Sequence, residues 1–230
     1  SQVLHAPEYS KRSRAAVLSI DADQIPEGVS PLIVFVNGRS GGKQGASLLS
    51  HFRHLLNPLQ VVDLGEEGPV DALGRFRNIP NLRLLCCGGD GTVAWLLEAV
   101  EQVEWRTKRP PLAVLPLGTG NDLARVLGWG GGYEGESLES LLDTIDSAQV
   151  TLMDRWSVSV NATGKGMKGM GKGSSGGGGG GGRKDRQLIM NNYLGIGVDG
   201  QVALDFHQMR EARPLLFFNR AINKVLVHSV

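Results

Sequence analysis

Apolar residues in this chain fall in short runs, and each of the clearest runs leads into a glycine-rich turn. In Pro31-Leu32-Ile33-Val34-Phe35-Val36-Asn37 every position from Leu32 to Val36 is apolar. An unbroken run, rather than an alternating one, predicts a strand covered on both faces, as in a parallel sheet. Residues 38–45 read as a loop. Leu48, Leu49, Phe52, Leu55 and Leu56 then recur at helical spacing over 46–56. The unit repeats: a strand over 59–64, a helix over 69–77, a strand over 82–87, a turn at 88–92 and a helix over 93–103. A strand at 112–115, a turn at 116–120 and helices at 121–127 and 137–146 follow. This order predicts an α/β fold with a parallel sheet and right-handed crossovers.

The pattern changes after Val150. Leu152, Asp154, Trp156, Val158 and Val160 alternate along a predicted strand over 151–160. Residues 161–187 are of low complexity, with seven consecutive glycines at 176–182. Glycine loses the most entropy on ordering and this stretch has little to bury, so a disordered insertion is expected. Order resumes over 188–198. A helical segment carries Val202, Leu204, Phe206 and Met209, and another begins near Asn219.

Composition narrows the class. Hydrophobic residues make up 41% of 230, enough for a sizeable core, and the net charge of +1 gives no global pull toward nucleic acid or membrane. No stretch approaches the roughly 18 apolar residues of a membrane helix, and no signal peptide is read at the start. The chain opens on Ser1 and is expected to be a piece of a longer protein. Its two cysteines, Cys86 and Cys87, lie in an apolar strand and read as small buried hydrophobes in a reducing compartment. Residues 1–30, with Lys11-Arg12-Ser13-Arg14, read as a flexible, solvated lead-in. Trp95 and Trp156 are expected in the core, and His207 as a packing or surface histidine.

Three glycine-rich turns carry the candidate chemistry: Asn37–Gly45, Gly88–Thr92 and Leu117–Asp122. Each follows a strand, so all three belong at the carboxyl edge of the sheet, where ligands bind. Glycine lets the backbone approach phosphate oxygens, and a following helix offers free N–H groups and the positive end of its dipole. Phosphate or nucleotide binding is the expectation. Asp90 is unusual there, because a carboxylate repels phosphate unless it serves a metal or a proton. It reads either as an N-cap of the 93–103 helix or as a group that orients Mg2+ through water or accepts a proton from a substrate hydroxyl. Gly89-Asp90-Gly91-Thr92-Val93-Ala94 only half matches the dinucleotide fingerprint and stands on the third strand instead of the first. Gly42-Lys43 is followed by Gln44, so the Walker pattern is absent.

Gly88-Gly89-Asp90-Gly91-Thr92-Val93, Pro116–Arg125, Met153-Asp154-Arg155-Trp156 and the tail Asn192–Asp199, Ala203–His207 and Arg210-Glu211 together resemble the eukaryotic-type diacylglycerol kinases. The resemblance implies a catalytic ATP-binding domain over 31–160 and the start of a truncated accessory domain over 188–230. The implied fold is a three-layer parallel-sheet nucleotide lobe followed by a second, mostly β lobe. It implies ATP contacts from Asn37, Gly38, Arg39, Ser40 and Gly41, from Gly88, Gly89, Asp90, Gly91 and Thr92, and from Gly118, Thr119 and Asn121. Arg39 and Lys43 are candidate cations, and Asp90 is the catalytic and metal-linked acid. The implied reaction moves the γ-phosphoryl of Mg·ATP to 1,2-diacylglycerol and makes phosphatidic acid in lipid signalling. The implied setting is the cytoplasm with transient contact at a membrane surface, without nucleic acid. In related bacterial lipid kinases a general base and a metal-linked acidic cluster lie in the second lobe, here expected beyond Val230. The Gly-rich insertion departs from the family pattern, and so does Asn37-Gly38 where the family carries Asn-Pro. Alternatives are a related kinase with a sphingoid or other lipid acceptor, or an inactive nucleotide-binding fragment.

Overall fold

The structure is a computed structural model that describes residues 22–41, 44–160, 186–193 and 195–212. Strands β1 (Leu32–Val36), β2 (Val61–Asp63), β3 (Arg83–Gly88) and β4 (Leu112–Pro116) form one parallel sheet in the order β2-β1-β3-β4. Helices α1 (Gln44–Leu55), α2 (Pro69–Arg75), α3 (Asp90–Gln102), α4 (Asp122–Val126) and α5 (Leu138–Ser147) cover it. A hairpin of β5 (Trp156–Val160) and β6 (Arg186–Met190) is antiparallel, and α6 (Val198–Ala212) follows.

The unbroken apolar runs become clear in cross-section. Ile33, Phe35, Leu84, Cys86 and Val114 face one side, against Ala72 and Leu73 of α2 and Val93, Leu96 and Ala99 of α3. Val34, Val36, Leu85, Cys87 and Leu115 face the other, against Leu48, Leu49 and Phe52 of α1 and Leu138 and Ile145 of α5. Successive side chains of a strand point to opposite faces. A strand buried on both sides must therefore be apolar at every position. This is a three-layer α/β lobe, as expected.

The strand order sets the site. From β1 the chain steps to β2 on one side, then crosses over to β3 on the other. The crevice beyond the ends of β1 and β3 is the topological switch point, where open α/β sheets bind ligands. Val36 pairs with Cys87, and Asn37 N–H donates to the Cys87 carbonyl at 3.0 Å, so Asn37 emerges beside Gly88.

Several expectations need adjustment. The second strand is only Val61–Asp63, because Pro58–Gln60 forms a 3-10 turn in which the Leu59 N–H donates to the Asn57 side chain. The 151–160 strand is only Trp156–Val160; residues 151–155 have no regular structure. Helix α3 starts at Asp90 instead of 93, with Gly89 as its N-cap. Trp95 and Trp156 are not core residues: they are 43% and 62% exposed, one on the outer face of α3 and the other at the start of the hairpin. Cys86 and Cys87 are fully buried, as expected. His207 is exposed. Lys43, the Gly-rich stretch at 161–185, most of the lead-in and the segment near Asn219 lie outside the described residues. A cavity of about 520 Å³ lies along the open edge of β4, lined by residues such as Leu97, Leu112, Leu127 and Met153 and by none of the three glycine turns.

Candidate active site

The three glycine turns meet at the carboxyl edge and are tied to one another. Asn37, just past β1, holds the first turn: its Oδ1 accepts from Arg39 N–H at 3.1 Å and its carbonyl from Ser40 N–H at 2.9 Å. Its Nδ2 donates to Thr92 Oγ1 at 3.2 Å and joins the first turn to the second. Gly45 closes the back of the first loop, where an added Cβ would lie 2.4 Å from the Asn37 carbonyl oxygen. Arg39 is exposed and takes part in none of the ion pairs among the described residues.

The second and third turns touch backbone to backbone. A Cβ on Gly118 would sit 2.7 Å from Gly89 Cα, closer than side-chain carbons approach backbone. The Leu117 N–H donates to the Gly88 carbonyl at 2.9 Å. Asn121 adopts left-handed backbone angles (φ 56°, ψ 41°), a region in which asparagine is enriched. It is 2% exposed, and its amide accepts from Gly118 N–H at 2.9 Å and donates to the carbonyls of Gly118 (2.7 Å) and Gly131 (3.0 Å). Its side chain therefore shapes the third turn from inside. Thr119 is half-buried beside it.

Asp90 links more pieces than any other residue in the site. Its Oδ2 accepts from Asp122 N–H and its Oδ1 from Leu123 N–H, both at 3.2 Å. It does not cap its own helix; it satisfies the open first turn of α4, 32 residues away. Orphan N–H groups at a helix start favour a carboxylate. Asn192 Nδ2 reaches Asp90 Oδ1 at 3.5 Å, the outer limit of a hydrogen bond. Two backbone donors and one amide leave part of the carboxylate's acceptor capacity free.

Gly91 differs from its neighbours. It stands in the first turn of α3, where a Cβ would meet nothing within 4 Å. Glycine in a helix costs about 1 kcal/mol relative to alanine, and nothing in the fold requires it here. The free space lies at the switch point, on the N-terminal end of a 13-residue helix.

Sequence reasoning brought together the residues of all three turns, Asp122 among them, but assigned no site role to Asp122, Asn192 or Arg155. Asp122 sits at the site on the first residue of α4, with Arg125 as its ion-pair partner at 3.2 Å. Asn192 comes from just past the second strand of the hairpin, and Arg155 lies beside Asn191 at its mouth. The available signal was the pair Asn191-Asn192, two amides that interrupt an apolar run. Burial and, to a lesser degree, Glu136 and Cys87 push the Tyr133 phenol up. Its backbone N–H donates to the Pro116 carbonyl at 2.9 Å, bringing the 128–136 loop to the end of β4.

Comparison with known proteins agrees with this geometry. Residues 31–155 match the diacylglycerol kinase catalytic domain and residues 189–229 the diacylglycerol kinase accessory domain. The chain is 46% identical over 203 residues to human diacylglycerol kinase theta, covering 87% of this chain and 21% of that protein. It is 47% identical over 201 residues to the eye-specific diacylglycerol kinase of Drosophila melanogaster, covering 86% and 13%. It is 46% identical over 195 residues to the probable diacylglycerol kinase 3 of Caenorhabditis elegans, covering 85% and 24%. The chain thus spans about a quarter or less of the length of these relatives. The catalytic-domain match takes in more than half of the residues and all three glycine turns, so this chain belongs to the diacylglycerol kinase family.

Proposed function

We propose that this chain binds Mg·ATP across its three glycine turns and serves a lipid kinase that phosphorylates 1,2-diacylglycerol to phosphatidic acid. The observation that carries this reading is the open space at Gly91 on the switch point, within a catalytic-domain match. Gly88, Gly89, Asp90, Gly91 and Thr92 form the phosphate floor, and the first-turn N–H groups of α3 favour anionic oxygens. Asn37, Gly38, Arg39, Ser40 and Gly41 form one wall, on which the exposed Arg39 offers a cation. Gly118 and Thr119 form the other, and Asn121 acts by holding that turn in shape.

The residues fit a magnesium ion carried by the nucleotide. Among the described residues no three metal-binding side chains cluster. Mg2+ needs only one or two carboxylates plus phosphate oxygens, and Asp90 supplies one, through water. Bound Mg2+ would neutralise charge on the β- and γ-phosphates. The diacylglycerol hydroxyl oxygen bonds to the γ-phosphorus as the bond to the ADP oxygen breaks. Asp90 is the acid on this lobe placed to receive the hydroxyl proton. No described helix is long and apolar enough to cross a membrane. The acceptor is a lipid, and the reading places it at a membrane surface, met transiently from the cytoplasm.

The test is transfer of labelled γ-phosphate to vesicles containing diacylglycerol, sphingosine or ceramide. Label is expected in phosphatidic acid. Gly91→Asp should lower transfer by at least about 100-fold while leaving the circular dichroism spectrum intact. Label in a sphingoid phosphate, or near-normal activity of the variant, overturns the reading. Nucleotide binding without transfer, restored in a longer protein, would make the chain a binding fragment.

A further inference from the structure

One arginine ties the mouth of the hairpin to the nucleotide lobe, alongside the contacts of Asn192 with Asp90 and of β6 with α3. Arg155 immediately precedes β5, and Asn191 and Asn192 immediately follow β6. Because Trp156 pairs with Met190, Arg155 and Asn191 stand side by side at the hairpin's mouth. Arg155 Nε donates to Asn191 Oδ1 at 2.9 Å. Its Nη1 donates to the Leu97 carbonyl at 3.3 Å and to the Glu101 carboxylate. Leu97 and Glu101 are one turn apart on α3, the helix whose first turn carries Asp90, Gly91 and Thr92. Asn192, next to Asn191, reaches Asp90. Leu97 lies seven residues from Asp90, about 10 Å along the helix axis. The mouth of the hairpin therefore runs along α3 from its middle to the phosphate end.

We propose that Arg155 is a positioning residue, which fixes the hairpin on α3 so that Asn192 stands over the Asp90 carboxylate. The proposal rests on the function proposed above for what this placement achieves, but the fastening itself does not depend on it. Arginine suits the task because its planar fork serves an amide, a carbonyl and a carboxylate at once; a lysine ammonium is a point charge on a flexible stem. The Arg155 side chain is 15% exposed and Glu101 35%, so the arginine is largely covered while the carboxylate end of the contact meets water. Helix α3 carries both the clasp and the Gly89–Thr92 turn, so a hairpin fixed to the helix is fixed to the turn. A displacement of about 1 Å at a reacting group can cost about 100-fold in rate.

The experiment compares Arg155→Met, Arg155→Lys, Glu101→Gln and Asn192→Ala with the unaltered chain. It reads hydrogen exchange without nucleotide, and kcat and the KM for ATP on diacylglycerol vesicles. Arg155→Met should speed exchange in 156–160 and 186–190 at least about tenfold, leaving β1 and β3 unchanged. Its kcat should fall by about 100-fold and its KM for ATP by no more than about threefold in either direction. Arg155→Lys should fall between the two. Asn192→Ala should reproduce the loss of kcat without faster hairpin exchange, because it removes the contact and leaves the clasp. Where Arg155→Met fails to fold, Glu101→Gln, which keeps an acceptor and removes the charge, must move exchange and kcat in the same direction. Unchanged hairpin exchange in a folded Arg155 variant overturns the proposal. So does a lowered melting temperature with kcat unaltered, which is what a purely structural contact would give. If the unaltered chain transfers no phosphate, the functional reading fails, and hairpin exchange alone decides whether Arg155 fixes the hairpin.

Discussion

The parallel-sheet lobe and the hairpin–helix region after it hold themselves together by different means. In the lobe, Ile33, Val34, Phe35, Val36, Leu84 and Leu85 have no exposed surface at all. In the following region, Trp156, Tyr193, Ile196 and Val198 are each more than 60% exposed. The lobe is a closed solution to its own hydrophobic pattern, with an apolar layer on each face of the sheet. Among the described residues, the region from Arg155 onward bonds to α3 through Arg155 and Asn192, and β6 lies against that helix. The candidate site follows the same division. Its glycine turns are built by the lobe alone, and the later region adds one amide at the edge.

The largest test of this contrast is in the core. Phe52 on α1 is fully buried against β1 and β3. Phe52→Ala should lower the unfolding free energy by about 3–5 kcal/mol, read from the midpoint of a urea titration. A loss below about 1 kcal/mol would mean that the lobe is loosely packed and that the contrast fails.

How much of this was legible in the sequence follows from the range of each interaction. The runs at Leu32–Val36 and Leu84–Cys87 state their own two-sided burial, because every residue in the doubly covered part of a strand must be apolar. Each glycine turn is likewise visible where it stands. The adjacency of β1 and β3 is not: it depends on the crossover that sends β2 to the opposite side. Asp90 could be marked as chemically odd, but its bond to the start of α4 spans 32 residues and no local spacing encodes it. Leu152 and Asp154 imitate a strand's alternation, while residues 151–155 form an irregular run that ends at Arg155, whose side chain bonds to α3. Trp95 was misread because residue type alone suggested burial; α3 buries Val93, Leu96, Ala99 and Val100, a stripe that leaves position 95 outside.

A second test uses the two thiols, which only the lobe possesses. Burial pushes Cys86 from an ordinary value of 9.0 up to about 12, and Cys87 is raised well above 9.0 by burial first and Cys86 second. Above pH 9 the unfolded chain gives up these protons while the folded lobe keeps them. Stability is thus fully present below pH 9 and lost as pH rises toward 12, by up to about 1.4 kcal/mol per pH unit for each thiol. Urea midpoints between pH 8.5 and 10.5 under reducing conditions should fall more steeply for the unaltered chain than for the Cys86→Ala/Cys87→Ala variant. That variant loses packing at every pH, but it loses the extra slope as well. Equal slopes would mean that the thiols ionise in the folded state and that β3 is not sealed.

The smallest effect is expected at Trp156. The residue is 62% exposed at the mouth of the hairpin, and its cross-strand neighbour is Met190. A cross-strand pair of this kind contributes roughly 0.2–1 kcal/mol, so Trp156→Ala should lower the unfolding free energy, read from the urea titration, by about 1 kcal/mol at most. The arithmetic distinguishes the two regions: a tryptophan is larger than Phe52, yet removing it should cost several-fold less because most of its surface already meets water. A loss above about 2 kcal/mol would show that Trp156 is covered in solution, and the later region would then have a hydrophobic closure of its own. The indole reports the same thing independently, because an uncovered ring emits at long wavelength. A small energetic cost together with red-shifted emission assigned to Trp156 by difference from the variant is the pair of results that keeps the two regions distinct.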